Sequence, residues 1–430
     1  MRNYDRELTQ TMNLVASGRP DQALLELERN NQSDNKDLLY YEEKGQLENI
    51  IGKFQDSKTT WLMADEEIKI WEAEVKADPD KVIGDVASFV VNDKTRRYDG
   101  QDYEKVMLST KLALNHLQLG DFDAARIEIK KTHEREAIIA ELRSRQIEKI
   151  EEKTKEKDIK TEVKDLKGYP VETLNDPEVT SLKNSYQSAF SHYLAGFVYE
   201  SLGEPSLAAP GYRTAIELRP DIKWLEDGLA NLESRAHSIK HNETDVLFIV
   251  EVGSIPARQS IEFPVPVPSR RGMDAVPFSF PVIRPDRTVF IPNRLNIDNQ
   301  RSIEVYAATS LSAMALRALK DDMPGIILRG AVRAITKAVS HEVVKDQHPL
   351  LQLAVAVGEI VIEGADERGW RTLPSHILIG RAVLPSGQHT LKIATQYGQK
   401  SATFEVAGKH AVIPMRLLGD TLFLTQPIMD

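Results

Sequence analysis

The stretch SAFSHYLAGFVYESLGEPSLAAPGYRTAIELRP, residues 188–220, decides how the front of this chain folds. Gly196, Tyr199, Gly203, Ala208, Tyr212, Ala215 and Pro220 stand at offsets 0, 3, 7, 12, 16, 19 and 24. Each type has a physical task in a pair of antiparallel helices. Small Gly196 and Ala208 let two helices approach closely, and Tyr199 and Tyr212 fill the space between them. Gly203 ends the first helix, and Pro220 stops the second.

Working outward, the same grammar recurs in weaker form. LGDFDAARIEI sets Gly120 five residues before Ala125, and SGRPDQALLEL does the same with Gly18 and Ala23. Gly45 and Gly52, and Ala113 and Gly120, keep the seven-residue spacing of Gly196 and Gly203. The pattern resembles the tetratricopeptide repeat (TPR), and the resemblance implies an α-solenoid of stacked helix pairs with a concave inner face. In TPR proteins the first helix of a pair lines that groove, which makes Phe190, Tyr193, Phe197 and Glu200 candidates for binding a protein partner. The alternative is that Phe190 and Tyr193 are core contacts to a neighbouring repeat.

Proline marks the boundary. Only seven of the 21 prolines precede residue 245, so the first part can be largely helical and the second cannot. The expected fold class is a multidomain α+β protein: TPR-like helices over 1–243, then a mixed, sandwich-like β-rich domain over 244–430 with a helical insertion at about 309–362. Asp245-Val-Leu-Phe-Ile-Val-Glu-Val reads as a strand, and Gln259–Phe263, Val276–Phe280 and Ser302–Ala307 follow as alternating segments. Helices are expected at about Leu311–Lys320 and Pro324–Lys345, and 350–362 fits helix or strand equally. Between repeats, 121–167 has no glycine or proline and is densely charged. It reads as a long solvated helix or helical hairpin; the sharper reading is a projecting arm with Ile139, Leu142 and Ile150 as a partner-facing seam.

Charge and composition narrow the function. Residues 1–244 hold 35 Lys+Arg against 47 Asp+Glu, and residues 245–430 hold 20 against 18. An acidic helical half repels phosphate backbones, so nucleic acid is not an expected partner. No cysteine is present, which removes disulfides, thiolate metal sites and cysteine nucleophiles from the chain as given. Phosphate-cradling Gly-rich loops, HExxH, GxSxG and EF-hand signatures are missing, so no enzyme activity and no cofactor is expected. His237 and His241 could share one helix face with Glu233, but two histidines make a poor metal site, and none is assigned.

Two further features are binding candidates. Arg329, Arg333, Lys337 and His341 recur every four residues and form a basic stripe, suited either to water or to an anionic glycan or lipid. Trp370 and Arg371 lie in a polar loop, where the indole is either a packing plug or a stacking platform.

The tail LPSGQHTLKIATQYGQKSATFEVAGKHAVIPMRL resembles small antiparallel sandwich modules of the PEGA type. With Gly369-Trp-Arg-Thr-Leu-Pro374 and Arg381-Ala-Val-Leu-Pro-Ser-Gly387, the order of parts resembles a family of bacterial envelope lipoproteins that has no assigned activity. That resemblance implies a non-catalytic adaptor in the periplasm, associated with the outer membrane through a removed signal and lipid anchor, with protein partners in the cell envelope. A cytoplasmic location is the alternative.

Overall fold

Gly18, Gly52, Gly120 and Gly203 each turn a helix hairpin, with φ between 69° and 82°. The pairs are α1 (Tyr4–Ala16) with α2 (Pro20–Asn30), α3 (Leu38–Ile50) with α4 (Phe54–Ala77), α6 (Asp102–Gln118) with α7 (Phe122–Lys157), and α10 (Ala189–Ser201) with α11 (Pro205–Leu218). One closing bond is common to all four turns. The residue after the glycine donates its N–H five residues back: Arg19 to Leu14, Lys53 to Glu48, Asp121 to His116 and Glu204 to Tyr199, at 2.8–2.9 Å. Only a left-handed residue closes that ring cheaply, which is why glycine recurs there. The computed structural model describes residues 4–86, 97–157, 161, 163, 168–269, 272–342 and 365–425.

The close approach of paired helices is also repeated. A Cβ on Gly196 would stand 2.7 Å from the Tyr212 ring, and one on Gly45 would stand 2.4 Å from the Trp61 ring. In both pairs the ring lies sixteen positions after its glycine. Successive hairpins then stack α2 on α3, α4 on α6 and α7 on α10. Short helices complete this half: α5 (Pro79–Val86), α8 (Val171–Leu174), α9 (Pro177–Thr180), a 3-10 turn at Lys223–Gly228, and α12 (Leu232–Ser238).

The expected projecting arm is not formed over its first three-quarters. α7 is one 36-residue helix, about 54 Å long at 1.5 Å per residue, and it is the second helix of the third hairpin. Ile139 is fully buried in the main core and Leu142 packs against that core, while Ile150 lies against Gly325. The apolar stripe read as partner-facing is therefore satisfied within the molecule.

The C-terminal half is a two-sheet sandwich. Its five-stranded sheet has the order β11 (Thr421–Leu424), β10 (His410–Leu418), β1 (Glu243–Val252), β7 (His376–Pro385), β6 (Tyr306–Ser310), with β1 and β10 parallel and the other pairs antiparallel. The second sheet runs β5 (Arg301–Glu304), β4 (Arg294–Ile297), β8 (Gly387–Thr395), β9 (Gly398–Val406). The strand expected at Ser302–Ala307 is thus split between the two sheets, because the chain crosses from one to the other at Val305.

β1 is covered on both faces, which explains its continuous apolar reading. Val246, Phe248 and Val250 join Leu295, Ile393 and Phe404 in the sandwich core. Leu247 and Ile249 face the other way, into the core shared with the helices. Full burial of each such side chain contributes about 1.5–3 kcal/mol. The alternation also sends Asp245 and Glu251 to the helix side, where both are buried.

β2 (Arg258–Ser269) and β3 (Gly272–Ile283) form a separate two-stranded ribbon that is longer than the sequence signal. Pro264 pairs with Pro277, so that rung carries no ladder hydrogen bond. Pro266, Pro268 and Pro281 fall on rungs of the same class, so all five positions that lack an N–H, three on β2 and two on β3, face outward. Ser260, also of that class, sends its N–H outward to Glu367 Oε1 at 3.2 Å. Prolines therefore blunt the ribbon's edges while leaving its ladder intact. Finally, α13 (Leu311–Glu342) runs unbroken through Pro324, where two helices were expected; proline costs a helix one N–H bond without forcing it to end. The segment 350–362 lies outside the described residues.

Candidate functional site

The surface expected to be an open groove is filled by the chain's own second half. Every residue of α6 except His116 is buried, and every residue of α10 except Ser201. Across this seam the segment 369–375 is held as a peptide ligand would be. Glu104 Oε1 accepts the Trp370 N–H at 2.8 Å, and Glu43 accepts the N–H groups of Arg371 (2.6 Å) and Thr372 (3.0 Å). The Trp370 indole meets Trp61 edge-on at 6.2 Å and donates to Thr372 Oγ1. On the far side the segment extends the sandwich, with Ile255 N–H on Leu373 O and Ser375 N–H on Val252 O.

Charged pairs lock the same seam. Lys111 of α6 bonds Glu251 of β1, and burial lowers the Lys111 pKa against the pull of that carboxylate. Arg416 of β10 is also buried beside Glu251; burial lowers its pKa to about 10. Glu43 is pushed up to about 7 by burial, which outweighs the hydrogen bonds that favour its charged form. Burial and the neighbouring Glu104 and Glu43 hold its neighbour Glu42 well above the carboxylate range.

One group of ligand atoms has metal-like geometry. Oxygens of Glu200 and Asp245 and a His410 nitrogen lie within 4.8 Å of one another. The Arg381 guanidinium occupies this site, at 2.9 Å from Glu200, bonded to Asp245 and receiving support from Tyr212, whose hydroxyl accepts from Arg381 at 3.0 Å. Arg235 adds a second cation at 2.8 Å from Glu200. Two guanidiniums already balance two carboxylates, so the cluster calls for no further cation. The His237–His241 idea also fails in geometry, because α12 ends at Ser238, before His241.

A serine–histidine–carboxylate grouping lies nearby, at the start of α13. Ser310 Oγ is 3.4 Å from His376 Nε2, and Glu178 is 3.8 Å from that same nitrogen. The other ring nitrogen contacts Ser375 Oγ at 3.0 Å. In a hydrolytic triad the acid orients the histidine from the nitrogen opposite the nucleophile. Here both compete for one nitrogen, and Ser310 Oγ also caps α13 by accepting the Ala313 N–H. The grouping therefore lacks the arrangement of a hydrolytic triad.

The residues singled out from sequence are now placed. Phe190, Tyr193, Phe197 and Glu200 are all buried, so none lines an open groove. Phe190 N–H bonds Thr309 Oγ1, Tyr193 stacks on Trp224 and meets Tyr212 edge-on, Phe197 meets His410 and the Arg381 guanidinium, and Glu200 pairs with Arg381. Trp370 is fully buried and is the packing plug, not a stacking platform. Arg371 is held through its backbone and through Nε to Ile255 O. Arg329 lines a cavity; the side chains of Arg333 and Lys337 lie outside the described residues. Sequence reasoning missed Glu43, Glu104, Lys111, Arg381 and Glu251. Their one local signal is charge at positions where helix or strand period calls for apolar residues.

Among the described residues, two cavities lie along the seam. One, of about 480 Å³, lies between α9, the ends of α10 and α11, and the β6–α13 corner. The other, of about 230 Å³, lies between α6, α7, α13 and the base of the β2–β3 ribbon. No family model matches this chain, and no curated protein matches it. A crystal structure of a tetratricopeptide repeat protein from Parabacteroides merdae ATCC 43184 is similar over 54% of this chain and 99% of its own, at 12% identity and a TM-score of 0.15. At that score the likeness carries no argument about the fold.

Proposed function

We propose that this chain is a non-catalytic interaction scaffold of the cell envelope, in which a TPR-like solenoid uses its inner face to hold its own sandwich and its outer face to hold protein partners. The observation that carries this reading is the contrast between the two faces. The second helix of every hairpin presents aliphatic side chains to water: Leu25 on α2, Leu62, Met63 and Ile70 on α4, Ile127 on α7 and Leu207 on α11, each between 37 and 66% exposed. The first helices spend their apolar and charged groups internally. The envelope location rests on the resemblance of the Gly369–Pro374 and Arg381–Gly387 stretches alone. Among the described residues no helix is long and apolar enough to cross a membrane, so attachment in this reading comes from a lipid anchor.

The test is proximity crosslinking in envelope preparations with photoreactive residues placed at Met63 and Ile70, against the same probe at buried Ala113. A partner crosslinked from Met63 and lost when Leu62 and Ile70 are both changed to Glu, or crosslinked from Ile70 and lost when Leu62 and Met63 are both changed to Glu, supports the reading. Crosslinks that survive the double change, or none beyond those of Ala113, overturn it.

A further inference from the structure

The larger cavity has a buried floor and a charged rim. Thr309, Ser310 and Met314 line it and are buried, while Glu178, Lys183 and Asp221 line it and are exposed. The cations of the lining are already engaged. Arg219 donates to Asp221 from Nε at 2.9 Å and from Nη2 at 2.8 Å, and gives Nη1 to the Ala307 carbonyl at 2.6 Å. Lys183 bonds Glu217, which lies outside the lining. Glu178 is the rim charge held least. Among the described residues its one basic neighbour within 4.0 Å is His376, whose Nε2 is 3.8 Å away. That contact is long for a hydrogen bond, and an imidazole is not a permanent cation. His376 nonetheless lowers the Glu178 pKa, with Ser310 and Arg219 adding to the effect, so the group is ionised at neutral pH.

We infer that this cavity binds a small organic ammonium ion, with the Glu178 carboxylate taking its charged head and the recess behind it taking its apolar body. A volume of about 480 Å³ lies inside the range of small-molecule sites, roughly 300–1,000 Å³. Leu182, Leu218, Pro220 and Met314 give the body an apolar wall. An ammonium carries three N–H donors and no acceptor, and the lone pairs it needs are those of the carboxylate and of the Ser310 hydroxyl beside it. An anion meets two lining cations that are both paired already, and a neutral ligand forgoes the stronger bond to a charged acceptor. Neither Met63 nor Ile70 lines the cavity, so this site and the outer-face reading stand or fall separately.

Calorimetry and thermal melting of the full chain are run with cyclohexylamine, and with cyclohexanol and cyclohexanecarboxylate as its neutral and anionic counterparts. The expected result is a saturable response to the amine with a raised melting temperature, and no matching response to the other two. Glu178→Gln should lose affinity about tenfold or more, while melting like the parent in the absence of ligand, because its side chain is 55% exposed. Ser181→Trp, on the exposed rim, should obstruct the entrance and lose about as much. Asp21→Asn removes an exposed carboxylate on α2 and should bind like the parent. Should Glu178→Gln melt well below the parent, Ser181→Trp decides, and parent-like binding in it overturns the site. An equal response to cyclohexanol or to cyclohexanecarboxylate overturns the ammonium class. No saturable response up to about 10 mM overturns the site, and so does a Glu178→Gln chain that binds like the parent. An Asp21→Asn chain weakened as much as Glu178→Gln reduces the effect to overall charge and overturns it as well.

Discussion

Helices α6 and α7 form one hairpin and are adjacent in sequence, yet they answer to different neighbours. α6 directs its polar groups across the seam: Glu104 to Trp370, Lys111 to Glu251, and Gln118 to the carbonyl of Thr425. α7 directs its own back into the array, with Arg135 bonded to Asp65, Glu72 and Ser109, and leaves Ile127 and Ile147 in water. The charged groups of α6 at the seam therefore fasten one half of the molecule to the other, and on α7 Arg143 does the same by bonding Asp322 of α13, while Arg135 stays within the helical array. Removing a seam partner should act on the whole fold, and removing a water-exposed group of an outer helix should act on little.

The largest effect is expected where a single cation holds several buried groups. Arg381→Met removes the guanidinium that Glu200 and Asp245 share. Leaving the buried Asp245 carboxylate uncompensated, with Glu200 keeping only Arg235, should cost about 3–5 kcal/mol, read as a lowered urea midpoint with an unchanged slope. Adding Asp245→Asn should recover part of the loss. If the single change were silent, the seam would not be held by its charges and the contrast between the helices would lose its cause.

Next comes pH. Glu43 has a folded pKa of about 7 against an ordinary value of 4.5, with burial as the cause. The folded state thus holds a proton that the unfolded chain has released. Its contribution is complete below about pH 4.5 and is lost as pH rises through about 7, a change on the order of 3 kcal/mol. Glu42 is shifted in the same direction. Urea midpoints should fall between pH 5.5 and pH 8, and Glu43→Gln should flatten that fall. A midpoint that rises over the same range would contradict the burial of Glu43 at the seam.

How much of this was legible in the sequence follows from the same contrast. The hairpins were readable because their causes are local: a glycine closing each turn, and a small residue sixteen positions before the ring that covers it. β1 was readable because burial on two faces writes one continuous apolar run. What lies between the halves was not readable. Phe190, Tyr193, Phe197 and Glu200 occupy the face that an isolated repeat would offer to a partner, and the local sequence points to binding for that reason. Their actual neighbours, Thr309, Trp224, His410 and Arg381, lie 31 to 213 positions further on. No periodicity encodes such a pairing. Trp370 shows the same limit, since its polar sequence setting consists of residues whose N–H groups are consumed by Glu104 and Glu43.

A smaller effect tests the repeat itself. Gly196→Ala places a Cβ 2.7 Å from the Tyr212 ring. That ring is fully buried and its hydroxyl bonds Glu200 at 2.6 Å, so it cannot swing aside. Overpacking should cost about 1–3 kcal/mol. The same change at Gly45, against Trp61, should cost a similar amount if the two hairpins are equivalent; a large difference between them would show that the likeness is one of spacing alone.

The smallest effect is the sharpest check on the outer face. Ile127 is 56% exposed on α7, and Ile127→Ser removes an apolar side chain that water already surrounds. Surface changes of this kind stay within about 0.5 kcal/mol, so the urea midpoint should barely move. Isoleucine and serine have similar helix propensities and alanine a higher one, so Ile127→Ala checks the same loss of side chain with no helix cost. Leu112→Ser, on the inner helix of the same hairpin and fully buried, should instead lose several kcal/mol. If Ile127→Ala cost more than about 1 kcal/mol, far beyond the surface range, the outer face would be packed rather than presented, and partners would have to bind somewhere else.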